Sequence, residues 1–398
     1  MARCATAAAA DREDGLARLV LLWSVSDQAA RGLAEQALAS LRGVSPRLQD
    51  QARWLARQLR PASGSLSSAS TAAAPRGDVI DEDGLVRSYA VLGPFEDVGG
   101  GLDRREGPES AGHDYRRADY SWGAYVVRYG HSLPAAASAR GLDLDLHVEP
   151  RKESCSYLES VLHWPRGANG SDRVILLVAS SGAFRLSWDG LVIARRDEQH
   201  RSARLDRAAV ELPFDRAEHL LRLKVCSGAL ADDGRVRVRF VDSAYRSVAV
   251  ASTSQLDRLA GVAAGAPGSA GPGAPGAPKA RPVSTALELG LDAPRDSTPG
   301  RALVSAVLRA LGGAEDLQSS RVPGLLDRAV QSSRLRVDEL ALAGAIAPSG
   351  ADRSGWLHQA YQRALATGDR STASFALREL LRWRLRAGLH EAVAATAA

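Results

Sequence analysis

The chain is poor in the residues that usually announce chemistry. Its 398 residues include three cysteines, one methionine and five phenylalanines. Three cysteines are too few for a disulfide scaffold, and Cys155 and Cys226 fall in predicted strands, where buried thiols are common. Lysine is nearly missing: Lys152, Lys224 and Lys279 are three of the 51 basic residues, and the rest are arginine. No apolar run approaches the roughly 18 residues of a membrane-spanning helix, which excludes an integral helical membrane protein. The start, Met1-Ala2-Arg3-Cys4, leads into Ala/Thr and then charge, without the apolar stretch of a secretory signal. Either the chain is cytoplasmic or its true start lies upstream. Gly99-Gly100-Gly101 is not followed by the GK[ST] of a phosphate loop, and Ser180-Ser181-Gly182 lacks the nucleophile elbow of a hydrolase. Both read as loops.

What is present is an ordinary globular composition, 45% hydrophobic and 24% charged, long enough for two or three domains. The excess of Arg, Ala, Gly and Pro is the mark of a GC-rich coding sequence. The net charge is +5. Basic and acidic residues alternate along most of the chain, whereas a nucleic-acid binder clusters its positive charge. No nucleic-acid partner is therefore expected.

Residues 1–60 read as helical hairpins. Leu16, Leu19, Val20 and Trp23 form one stripe, Leu33, Ala37, Leu38 and Leu41 a second, and Leu48, Ala52, Leu55 and Leu59 a third, ended by Pro61. Residues 61–78 are small and polar, a linker. Residues 79–255 change to a period of two. After Arg87–Leu92 the stretch 96–119 reads as a long flexible loop. Leu158, Leu162 and Trp164 alternate with Ser156 and Ser160 as one strand, and Arg173–Ala179 make a continuous apolar one. Ala183–Trp188 and Leu191–Ala194 flank Asp189-Gly190, a strong signal for a two-residue hairpin because a type I′ turn needs positive φ twice. This pairs Trp188 with Leu191 and Leu186 with Ile193. Val210 and Leu212 start another strand. Leu221, Leu223 and Val225 alternate with Arg222 and Lys224, and Val236, Val238 and Phe240 with Arg235, Arg237 and Arg239. Short alternating strands between turns predict an antiparallel β-sandwich.

Residues 256–283 include the Gly/Ala/Pro run 261–282, which lacks the large apolar groups needed to offset ordering entropy and is expected to be unstructured. Residues 284–398 are helical again. Their stripes are Leu303/Val304/Val307/Leu308/Leu311, Leu325/Leu326/Ala329/Val330 and Val337/Leu340/Ala341. Trp356/Leu357/Ala360/Tyr361/Ala364, the turn Thr367-Gly368-Asp369, Ala373/Ala376/Leu380/Trp383 and Gly388/Ala392/Val393 follow. Aromatic, leucine, small and glycine positions recur as in a tetratricopeptide hairpin. The uncapped end at Ala398 reads as the interior of a longer chain. The expected fold is a central antiparallel, jelly-roll-like β-sandwich flanked by all-α hairpins.

Candidate chemistry is sparse. Cys155 with His147 and His163 has eight-residue spacings that fit no zinc pattern. Asp143, Asp145 and Glu149 in LDLDLHVE read as the polar face of a strand, without the turned, glycine-bent loop of a calcium site. Trp188 belongs to the core, while Trp122 and Tyr125 are candidates for stacking on a sugar. The short stretch 227–234 makes the last two strands expected neighbours. Arg222, Lys224, Arg235, Arg237 and Arg239 would then share one surface. Either carboxylates such as Glu211 or solvent compensate it and the charge guards an edge, or it docks an acidic glycan or protein. No catalytic, cofactor or metal residue is assigned.

One resemblance covers Tyr89 to Val250. It rests on Leu92-Gly93-Pro94-Phe95, the glycine-rich stretch after it, Ser121-Trp122, Gly141-Leu142-Asp143-Leu144, Ser181–Gly190 and His219–Val225. This order resembles the β-sandwich that precedes the transglutaminase-like region of long bacterial tetratricopeptide proteins. That family shows an LGPF motif, a D-G-x-x-x-W-x-N-G hairpin and a G-x-N-x-L-L-x-K strand. Asp189 stands where the family has asparagine, and Ala217-Glu218-His219 replaces the Gly-x-Asn turn. The resemblance implies a fold like galactose-binding and PA14 jelly rolls, in a non-catalytic module on an envelope-associated chain. The family's catalytic Cys/His/Asp domain has no counterpart here. The expected function is a scaffold that binds a protein or carbohydrate. The alternative is the accessory part of a transglutaminase-like or peptidase-like enzyme.

Overall fold

The computed structural model describes residues 53–54, 78–265, 280–285 and 299–390, less positions 111, 117–118, 123–124, 135, 139, 165–172, 203–204, 229–231, 314, 317–319 and 332–334. The helical stripes expected before Pro61 lie outside the described residues; of residues 1–60 only Arg53 and Trp54 are described. The chain divides into two compact units, residues 42–290 and residues 1–41 with 291–398.

In the first unit the strands are β1 (Val79–Asp81), β2 (Ala90–Glu96), β3 (Tyr120–Trp122), β4 (Tyr125–Val127), β5 (Tyr129–His131), β6 (Leu142–Asp143), β7 (Ser154–His163), β8 (Arg173–Ser180), β9 (Ala183–Trp188), β10 (Leu191–Arg196), β11 (Ala208–Pro213), β12 (His219–Ser227), β13 (Arg235–Val241), β14 (Val250–Thr253) and β15 (Arg281–Pro282). Helix α1 (Leu256–Ala264) follows β14. One antiparallel sheet has eight strands in the order β1-β14-β7-β12-β9-β10, with β2 joining β7 and β5 joining β2. A second has five, in the order β15-β11-β8-β13-β6, and β3 and β4 form a separate ribbon.

The two sheets share one apolar core. Leu158, Leu162, Phe184, Leu186, Trp188, Leu221, Leu223 and Val225 from the first meet Val174, Leu176, Val178, Val210, Leu212, Val236, Val238 and Phe240 from the second. Alternation dictates this, because side chains two apart point to one face. β8 is apolar on both sides: Ile175 and Leu177 point away from the shared core into a smaller cluster with Val241 and Tyr245. The Asp189-Gly190 turn forms as expected, with φ of 49° and 82°. Asp189 has a partner that makes its left-handed conformation worthwhile. Its carboxylate accepts the Leu220 N–H at 2.8 Å and lies 2.8 Å from His219 Nδ1.

Several expectations change. β12 and β13 are not neighbours but lie in different sheets. An apolar-inward strand is satisfied equally by a partner beside it or one across the core, so alternation alone does not choose. Leu186 pairs with Ala194 rather than Ile193, because a bulge follows Val192 and inserts an extra residue. Ser156 and Ser160 share a face with Leu158 and Leu162 and are buried there; all four positions are even, so they could not alternate. The D-L-D-L run is not one strand. After Leu142–Asp143 the Asp143 carboxylate accepts the Asp145 N–H and starts a 3-10 turn over Leu144–Leu146, a local bond that competes with sheet pairing. The expected unstructured stretch 256–283 is ordered at both ends. Leu256–Ala264 is helical, with Leu259 buried against the sheet, and Arg281–Pro282 pairs with Val210 and Glu211 of β11. Residues 266–279 lie outside the described residues.

The second unit contains α2 (Pro299–Gly312), α3 (Val322–Gln331), α4 (Val337–Ile346), α5 (Gly350–Ala366) and α6 (Arg370–Arg386). Leu303, Val307, Leu325, Leu326 and Ala343 form one cluster. Leu340, Leu357, Ala360, Ala376 and Leu380 form the next. The turn between α5 and α6 follows its chemistry: Gly368 takes φ 72°, and Asp369 caps α6 by accepting the Thr372 N–H, as helix ends require. No helix of the described residues is long and apolar enough to cross a membrane.

Candidate functional site on the outer face of the eight-stranded sheet

The register of β2, β7, β12 and β9 lines polar groups into rows on the face turned away from the shared core. Phe95, Cys155, Cys226 and Ala183 form the first row. Leu92, Tyr157, Lys224 and Arg185 form the second, and Ala90, Glu159, Arg222 and Ser187 the third. This face is not wet. The described residues of 96–119, a stretch expected as a flexible loop, lie across it and are tied down by named bonds.

Lys224 is 1% exposed. Its ammonium donates to the Gly101 carbonyl and, at 2.6 Å, to that of Arg104. It also stands 5.1 Å from the centre of the Tyr157 ring. Tyr157 donates to Glu109 at 3.0 Å, and Arg185 pairs with the same carboxylate. Burial pushes the Lys224 ammonium down to about 8, although Glu109 nearby opposes this. Burial likewise raises the Asp97 and Glu106 carboxyls, against the pull of Lys224.

In the third row Glu159 is fully buried. It accepts from Tyr115 at 2.9 Å, Tyr129 at 2.6 Å and Arg222 at 2.8 Å. Arg222 also donates to the Tyr115 hydroxyl at 3.1 Å. His113 extends the network, with Nε2 3.1 Å from Tyr129 Oη and Nδ1 against Tyr120 Oη. Burial lowers its pKa and raises those of Tyr115 and Tyr129, whose ionisation Glu159 further opposes. Three donors around one buried carboxylate make a strong internal tie, because each bond is charge-assisted.

In the first row Cys155 and Cys226 are disulfide-bonded, with Cα atoms 4.0 Å apart. Asp97 Oδ1 lies 3.4 Å from Cys155 Sγ. One ligand atom from each of Asp97, Cys155 and Cys226 falls within a 4.8 Å group, the size of a metal-binding cluster.

The residues singled out from sequence are thereby separated. Arg222 and Lys224 lie under the covering stretch. Arg235, Arg237 and Arg239 lie on the far side of the other sheet, where Arg235 pairs with Asp143 at 2.7 Å and Arg237 with Asp206 at 3.1 Å. Arg237 and Arg239 also sit 5.5 and 4.5 Å from the centre of the Trp54 ring. Trp122 and Tyr125 are direct partners across the β3–β4 ribbon. Sequence reasoning missed Glu159, Tyr115, Tyr129, His113 and the Cys155–Cys226 pairing. The available signal was the odd-numbered run Cys155, Tyr157, Glu159 set against Arg222, Lys224, Cys226, but it becomes visible only once the register is known. No family model matches the chain, and a search of curated proteins finds no relative.

Proposed function

We propose that the chain is a non-catalytic binding scaffold: a jelly-roll-like β-sandwich flanked by tetratricopeptide-like helical hairpins, holding a carbohydrate or protein partner. One observation carries this reading. The groups best suited to nucleophilic or acid–base work on the outer face are committed to internal bonds: Cys155 to Cys226, Lys224 to two carbonyls and Glu159 to three donors. The sandwich reading is supported by the single core between two antiparallel sheets. The hairpin reading is supported by the capped antiparallel pair α5–α6 and the shared cluster of α4, α5 and α6.

The resemblance to the module of bacterial tetratricopeptide and transglutaminase-like proteins gains one physical argument. Two of the positions that depart from its pattern, Asp189 and His219, bond to each other at 2.8 Å, so one replacement accommodates the other. The disulfide fits an oxidising compartment such as the cell envelope. Trp122 and Tyr125, paired on the ribbon, are the proposed carbohydrate contact. The test is binding of the full chain to an array of glycans and peptidoglycan fragments, repeated with Trp122→Ala and Tyr125→Ala. Binding that both substitutions abolish supports the reading. An array with no bound member removes the carbohydrate from it.

A further inference from the structure

We propose that Cys155, Cys226 and Asp97 form a redox-gated metal site, taking a zinc-like divalent ion when the cysteines are reduced and none when they are bonded. Cys155 and Cys226 are direct partners on adjacent central strands, so the fold itself holds both sulfurs together, whichever redox state they are in. The loop after β2 then brings Asp97 Oδ1 to 3.4 Å from Cys155 Sγ. The ligand atoms of all three residues lie within 4.8 Å of one another, and both cysteines are buried. Thiolates and a carboxylate are the donor set that zinc accepts, and a tetrahedral site filled by three protein ligands leaves one position for water. In such a site two sulfurs bound at about 2.3 Å stand roughly 3.8 Å apart, a separation reached by turning the two side chains away from each other.

Charge supports the same assignment. Two thiolates, one carboxylate and a divalent ion sum to −1. Lys224, two residues from Cys226 on the same face, and Arg104 both act electrostatically on Asp97, so positive charge stands beside that anion. Positive charge beside a buried anion offsets part of the desolvation cost of an uncompensated ion.

The chemistry balances. A small dithiol reductant supplies two electrons and two protons. The S–S bond breaks to give two thiols, and the reductant becomes a disulfide. Binding the ion releases both thiol protons to water. Crosslink and metal therefore exclude each other.

The test uses the full chain with Cys4→Ser, which removes the third thiol. The reduced protein, freed of reductant without oxygen, is titrated with Co2+ and then Zn2+. The expected result is one Co2+ per chain with thiolate-to-cobalt absorption, displaced by Zn2+. The untreated, crosslinked protein should bind none at the same concentrations. Asp97→Asn keeps the crosslink, and hence a folding control, but after reduction should weaken Co2+ binding by more than about tenfold, the least that loss of even an outer partner costs. Thermal melting gives a second readout: Zn2+ should raise the midpoint of the reduced protein and leave the crosslinked one unchanged. Equal binding by the two redox forms, no cobalt–thiolate absorption after reduction, or an Asp97→Asn affinity equal to the parent's would each overturn the proposal.

Discussion

The two sheets of the first unit carry the same sequence signature on their outer faces and handle it in opposite ways. On β12 the cations are Arg222 and Lys224; on β13 they are Arg235, Arg237 and Arg239. The first set is sealed beneath the stretch 96–119, with Glu159 and two backbone carbonyls as partners. The second set uses individual carboxylates, Asp143 and Asp206, and the ring of Trp54. Alternation tells which way a side chain points. It does not tell whether that face meets water, because the covering segment lies far off in sequence and has no periodicity of its own.

That contrast has consequences that rank by burial. Replacing Glu159 by alanine leaves Arg222 buried without its carboxylate and removes the acceptor of two tyrosines. The expected loss is about 3–5 kcal/mol, the range for breaking a buried pair from one side, read as a lower urea midpoint.

Lys224→Met should cost about 1–3 kcal/mol, because two carbonyls lose their donor. It should also change the pH profile. Lys224 sits near 8 in the folded chain, against an unfolded value of about 10.4. Below 8 both forms hold the proton and there is no slope. Between about 8 and 10 the unfolded form holds a proton that the folded one has lost, so the stability of the parent should rise with pH. Urea midpoints at about pH 8 and about pH 10 should show that rise in the parent, and Lys224→Met should flatten it.

On the other sheet the effects shrink. Trp54→Leu keeps the apolar cover but loses the cation–π contacts, an expected cost of about 0.5–2 kcal/mol. Asp143→Asn breaks a pair in which Arg235 is 32% exposed, and should cost less than about 1 kcal/mol. A loss for Asp143→Asn as large as that for Glu159→Ala would erase the distinction between the two faces.

Much of the architecture was legible in the residues. The inward sets Leu221/Leu223/Val225 and Val236/Val238/Phe240, the Asp189-Gly190 turn, the doubly apolar β8 and the Thr367-Gly368-Asp369 turn follow from local periodicity and turn chemistry, which act within a few residues. The candidate site was mostly illegible. Glu159 meets Tyr115 across 44 positions of sequence and Arg222 across 63, and the cysteines lie 71 apart. Such pairings depend on register and strand order, which a single sequence leaves open because several arrangements bury the same apolar faces. The glycine-rich stretch misled for a related reason. Glycine marks freedom in the unfolded chain, yet here Gly101 is needed for close approach, since an added Cβ would stand 2.6 Å from Asp97 Cα.

The central claim is that the polar rows are a latch that holds the stretch 96–119 onto the sheet. Amide hydrogen exchange across this stretch, in the parent and in Glu159→Gln, tests it most directly. The account predicts that the amides bonded within the stretch, among them Gly101, Asp103, Glu109 and Ser110, are protected in the parent and lose that protection together in the variant, while β8 stays protected. Fast exchange of those amides in the parent, or protection that Glu159→Gln leaves intact, would contradict it.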